Sequence, residues 1–178
     1  MKAQWTDDNN VARIGDTYYT NLDEAVAYAN ENADAEIVLL KDIDRADRIT
    51  LINDATINLN GNKLSKTDGG WLIFVKEGAT LTINGETENS AIHGGISLGA
   101  MTNNNGSLVI NGGTYTCADG VACVHVNGTC LESNVTIIGA SLTSPTDIAI
   151  QLNGKGTYTI TNATITGATG VYIKSDLK

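Results

Sequence analysis

Two hydrophobic periods run through this chain. In "LDEAVAYANENA", Leu22 to Ala33, the apolar residues Leu22, Ala25, Val26 and Ala29 fall three or four apart, which predicts one short amphipathic helix. Thr20 or Asn21 can cap its start, and Asp23 and Glu24 suit the positive end of the helix dipole. Just before it, "VARIGDTYYT" alternates about Gly15–Asp16 and predicts a short hairpin. From Glu36 onward the period is two. "EIVLLKDI" and "RITLIN" read as strands, and then a phrase begins to recur.

The recurring phrase has an apolar residue two before a Gly where one is present: Leu59 in "INLNG", Ile83 in "LTING", Ile110 in "LVING", Ile137 in "VTIIG" and Ile160 in "YTITN". A second phrase keeps step with it at Val75, Leu98, Val126, Leu152 and Ile173. A third apolar position follows at Leu64, Ile92, Tyr115, Leu142 and Ile165. Three short strands per cycle of about 25 residues are the mark of a solenoid. Every cycle travels the same way round, so equivalent strands must stack in parallel, with the rest of the coil as the crossover.

The expected fold is therefore all-β: a right-handed parallel β-helix of about five or six coils, with a short N-terminal hairpin and a capping α-helix. Residues 1–35 form the hairpin and cap, and 36–178 the coils of the same structural domain. Leu81, Ile83, Leu108 and Ile110 point inward in this reading, while Thr82 and Val109 point out. Asn60, Asn84 and Asn111 recur before the Gly, as corner formers and as a short side-chain ladder that Ile138 and Thr161 interrupt. The raw edge of a solenoid needs a lid, and the helix supplies one at the N-terminal end. "GVYIKSDLK" stops in mid-pattern, which suggests a natural protein that continues.

The stretch "ARIGDTYYTNLDEAVAYANENADAEIVLLKDI", followed by "TINLNGNKL", resembles a segment of large surface proteins of Gram-positive and gut-associated bacteria. There a G-x-x-Y-x-x-L-x-E-A-type stretch opens a right-handed β-helix of the pectin-lyase-like superfamily. The resemblance covers roughly residues 11–64. It implies a fold and an extracytoplasmic setting, and by itself no activity.

Composition agrees with a β-rich chain: 178 residues contain 19 Gly and one Pro, with Thr and Asn throughout. A net charge of −9 without a basic cluster argues against nucleic acid as a partner. No apolar run is long enough to insert in a membrane, and "MKAQWTDDNN" carries no apolar signal core. A signal peptide and an anchor are thus expected outside this segment, and the chain is expected to be monomeric. Cys117, Cys123 and Cys130 make an odd count: one pair oxidised, or all three buried thiols. No spacing for a zinc site or other cofactor is present.

Lyases of the resembled superfamily use clustered acidic residues for calcium and a Lys or Arg base. Asp68, Asp119 and Asp147, each shortly before a second-phrase strand, are the nearest counterpart. Because no basic residue recurs beside them, turn formation is the favoured reading. "HGGISLG" offers G-x-S-x-G around Ser97, with Asp119 and His125 following in hydrolase order, but the repeat puts Ser97 inside a strand rather than on a strand–turn–helix elbow. His125 is expected outward and solvated. Trp71, Tyr115, Tyr158 and Tyr172 are sparse aromatics that could stack on sugar faces if exposed, and the loops leaving the second strand vary in length, as recognition loops do. The expected function is a non-catalytic module of a secreted or cell-surface protein, acting as stalk or adhesin-like surface for a polysaccharide or a host glycan or protein. The alternative is a carbohydrate-active module.

Overall fold

The computed structural model describes residues 9–99 and 105–174. The first eight residues, the centre of the expected loop at 100–104, and the last four lie outside them. The hairpin is present, with β1 (Ala12–Ile14) and β2 (Thr17–Tyr19) joined through Gly15 at φ 54°. The helix α1 (Leu22–Glu31) follows. The Asn21 side chain caps it by accepting from Asp23 N at 2.8 Å, and Leu22, Ala25, Val26 and Ala29 are its buried stripe.

The remaining strands make six coils of three. They are β3 (Ala35–Leu39), β4 (Ile43–Arg45) and β5 (Ile49–Leu51) in coil 1; β6 (Ala55–Asn58), β7 (Lys63–Lys66) and β8 (Trp71–Val75) in coil 2; and β9 (Thr80–Gly85), β10 (Ala91–His93) and β11 (Gly95–Leu98) in coil 3. Coil 4 holds β12 (Ser107–Gly112), β13 (Thr114–Thr116) and β14 (Val124–Val126). Coil 5 holds β15 (Ser133–Ile138), β16 (Ser141–Thr143) and β17 (Ile148–Leu152). Coil 6 holds β18 (Gly156–Thr161), β19 (Thr164–Thr166) and β20 (Thr169–Ile173). First, second and third strands stack into three separate walls, and every coil-to-coil pairing is parallel. This is a parallel β-solenoid of about six turns.

The walls close around columns of aliphatic side chains. Ile57, Ile83, Ile110, Ile137 and Ile160 are partners in register on the first wall. Leu64, Ile92, Tyr115, Leu142 and Ile165 form the second column, and Leu51, Val75, Leu98, Val126, Leu152 and Ile173 the third. Within coils 2 to 5 these residues are fully or almost fully buried. Each buried aliphatic side chain contributes about 1.5–3 kcal/mol, so the columns supply the main driving force. Thr82 and Val109 face outward, as the alternation requires.

One register differs from the expected alignment. Ile57, not Leu59, pairs with Ile83, and so Asn58, not Asn60, lies beside Asn84. Asn111 Nδ2 does donate to Asn84 Oδ1 at 3.0 Å, and Ile138 and Thr161 do continue that column without an amide. Asn60 is instead the corner residue, at φ 50°, its amide donating to Leu39 O in coil 1. The motif "NLNG" contains two Asn, and only the wall's pairing decides which one sits in the strand.

The N-terminal edge is covered by two devices. The hairpin strand β1 adds antiparallel to β3, with Ala12 opposite Leu39 and Arg13 opposite Val38. On the third wall the Asn30 side chain of α1 replaces a neighbouring strand, donating to Thr50 O at 2.9 Å and accepting from Ile52 N at 3.0 Å. One carboxamide thus satisfies both a carbonyl and an amide of the exposed edge. Asn30→Ala should cost about 2 kcal/mol, from two hydrogen bonds of roughly 1 kcal/mol each. Denaturant titration would measure the loss, and an unchanged midpoint would mean that water serves the edge equally well.

Candidate functional site

Corners, not walls, distinguish one coil from the next. Between the second and third walls the connection is residues 67–70 in coil 2, Gly94 alone in coil 3, 117–123 in coil 4 and 144–147 in coil 5. The single-residue corner of coil 3 leaves a notch. Gly94 adopts φ 142°, and a Cβ on Gly95 would lie 2.6 Å from Trp71 Cε3, 2.6 Å from Val121 Cγ1 and 2.8 Å from Ala122 O. Only glycine lets the indole from coil 2 and the long corner of coil 4 meet there. The corner is also tied down across the notch, since Ala118 N donates to Gly69 O at 3.0 Å.

Trp71 reaches past the notch to coil 4, where its ring centroid is 5.3 Å from that of His125 at an interplanar angle of 45°. Register stacks Ser97, His125 and Gln151 on the third wall. Ser97 Oγ is 3.1 Å from His125 Nδ1, and Asn153 Nδ2 is 3.3 Å from Nε2. The result is a cluster from four coils around the His125 imidazole: the Trp71 indole, the buried Ser97 hydroxyl and the Asn153 amide, with Gln151 next to His125 in register.

Both ring nitrogens of His125 are engaged by side chains of the wall, Nδ1 by Ser97 Oγ and Nε2 by the Asn153 amide. Ser97 lies within β11, is almost fully buried, and follows no elbow. Asp119 is turned elsewhere, accepting from Thr146 Oγ1 at 2.7 Å.

The three expected carboxylates lie on one edge of the solenoid, in the second-to-third-wall corners of coils 2, 4 and 5, but each is locally engaged. Asp68 accepts from Lys66 Nζ at 2.7 Å and from Gly70 N at 2.9 Å. Those bonds, that of Lys66 first, hold its carboxyl below the usual range. Asp147 accepts from Ile148 N at 2.9 Å. Among the described residues no three acidic, His or Cys side chains converge as metal ligands. These are the turn roles that Asp plays in many corners.

Tyr115 requires a correction. As an exposed ring it could stack on a sugar, but it is 0% exposed and belongs to the second inward column, between Ile92 and Leu142. The alternation of "TYT" put it inside, and its aromatic character does not outweigh that position. Its hydroxyl is buried with no partner among the described residues, and burial raises its pKa. His125 likewise departs from the solvated side chain expected: it is half-buried, and that burial lowers its pKa. The equivalence of "ISL" and "VHV" in the repeat was the signal that Ser97 and His125 touch. Trp71 is half-buried, Tyr158 donates to Gly154 O at 2.6 Å, and Tyr172 is 41% exposed on the column of His125.

Two open grooves lie on other faces. One of about 380 Å³, between the first and second walls, includes Glu86, Glu88, Asn89 and Asn162 in its lining. The other, of about 390 Å³ on the second wall, includes Asp42, Asp44, Lys63 and His93. Neither lining contains an indole or phenol ring. Among the described residues no helix is long and apolar enough to cross a membrane. Compared with protein-family models, curated proteins and solved structures, the chain matches none.

Tyr115→Phe should stabilise the fold by about 1 kcal/mol, because it removes a buried hydroxyl that has lost its water without gaining a partner; chemical denaturation reads the difference. The His125 contribution has a definite sign. Its folded pKa lies below the unfolded one, so the unfolded chain binds the extra proton. Stability from His125 is therefore complete above about pH 6.5 and lost as pH falls through the lowered folded value. His125→Gln should flatten this limb of the pH–stability curve, and parallel curves for the two proteins would contradict the assignment.

Proposed function

We propose that this chain is a non-catalytic β-solenoid module of a secreted or cell-surface protein, of the pectin-lyase-like kind, and that its third wall is an adhesin-like surface for neutral sugars of a polysaccharide or host glycan. The observation that carries the reading is the Trp71–His125 contact across the Gly94–Gly95 notch. A regular solenoid used only as a spacer has no need to shorten one corner to glycine and lay an indole across the gap. Sugar rings present flat C–H faces that stack on aromatic rings, and their hydroxyls pair with amide side chains such as Gln151 and Asn153. The preformed walls fix these groups with little entropy left to lose on binding.

The surrounding charge fits a neutral ligand better than a polyanion, since the whole chain carries −9. The stiff stack of parallel coils also suits a stalk, which would hold such a surface away from its attachment point.

Glycan-array screening of the wild-type chain, followed by titration calorimetry on any hit, tests the proposal. Trp71→Ala should lower affinity about tenfold or more, as loss of a stacking ring worth roughly 1.5 kcal/mol implies. Gly95→Ala should weaken binding too, because its methyl group displaces the indole. Tyr28→Ala, an exposed ring on the N-terminal helix away from the third wall's Trp71–His125 cluster, should leave affinity unchanged. Absence of binding to every glycan would leave the spacer role alone.

A further inference from the structure

The long corner of coil 4 has a second feature, independent of the binding surface. It is the longest of the second-to-third-wall connections, seven residues where coil 3 has one, and a cysteine stands at each end of it. Cys117 directly follows β13 and Cys123 directly precedes β14. Their sulfurs are 3.3 Å apart, and both side chains are buried. Cys130, also buried, belongs to another corner, where its thiol points to Leu98 O at 3.4 Å.

We propose that Cys117 and Cys123 are a disulfide site, forming an S–S bond that staples the base of the 117–123 corner. Only about 1.3 Å of sulfur movement separates this contact from a bond of about 2.05 Å. The two strand ends are already anchored by their parallel neighbours, so closure asks for side-chain rotation and not for a new backbone path. A long excursion at one corner is where a solenoid has most conformational entropy to restrain. The corner also carries Val121, which packs over Gly95 beside Trp71.

The chemistry balances with hydrogen peroxide as oxidant. The hydrogen bond across the 3.3 Å contact couples the two thiols, holding the pKa of Cys117 down and pushing that of Cys123 up, so Cys117 is the one that ionises first. The Cys117 thiolate attacks one peroxide oxygen, the O–O bond breaks, and the hydroxide released leaves as water once protonated. Cys123 sulfur then attacks the resulting Cys117 sulfenic acid, the S–O bond breaks, the S–S bond forms, and the Cys123 proton leaves in a second water. Two thiols lose two electrons, and one peroxide becomes two waters.

The test uses the whole folded chain, treated with hydrogen peroxide, quenched, then denatured and alkylated. The expected result is one alkylated cysteine, Cys130, and a peptide crosslink between Cys117 and Cys123 that a dithiol reductant removes. The oxidised chain should also melt several degrees higher than the reduced one, and Cys117→Ser should abolish both the crosslink and the shift. Three alkylated cysteines, a crosslink through Cys130, or sulfinic acid at Cys117 without a crosslink would each overturn the proposal. The wild-type thiol count decides the matter even if the variant fails to fold.

Discussion

The whole molecule depends on one constraint: each coil must lie on the previous one with equivalent residues in register. The parallel ladders satisfy the backbone, and the same register piles Ile, Leu and Val into columns. A slip of one residue on any wall would turn its aliphatic side chains to water and its Thr and Asn inward. Backbone pairing and core packing are therefore a single interaction seen from two sides. That is why the wall strands tolerate Thr, Asn, Val or His outside but keep aliphatic residues, or Tyr115, inside.

The same constraint explains how the ends differ. At the N-terminal end, hairpin and helix take the place of a missing coil, and Asn30 does so with one side chain. In coil 6 the inward positions Ile160, Val171 and Ile173 are 38%, 38% and 59% exposed, since among the described residues no strand pairs beyond β18, β19 and β20.

Because the walls must repeat, individuality is confined to the corners. Coil 3 shortens one corner to Gly94, coil 4 lengthens the same corner to seven residues, and the two changes fit each other. The indole, the imidazole and the cysteine pair gather around that mismatch. Residues 54 positions apart, from Trp71 to His125, become neighbours because the sequence separation is two coils, while the rise between coils is only about 4.8 Å.

Local periodicity and spacing were enough to determine the solenoid, the hairpin, the cap helix and the inward columns, except that the first column takes Ile57 in coil 2 where the repeated phrase pointed to Leu59. Even the burial of Tyr115 was written in its column, although its aromatic ring suggested a surface role. Tertiary structure alone decided which Asn of "NLNG" joins the wall, that Asn30 closes the edge, and that Trp71 crosses a glycine notch to His125. It also decided that two cysteines at the feet of one corner face each other. The physical reason is common to all of these. Periodicity records what a residue does within its own coil, whereas corner lengths and cross-coil contacts depend on the path of the coils above and below.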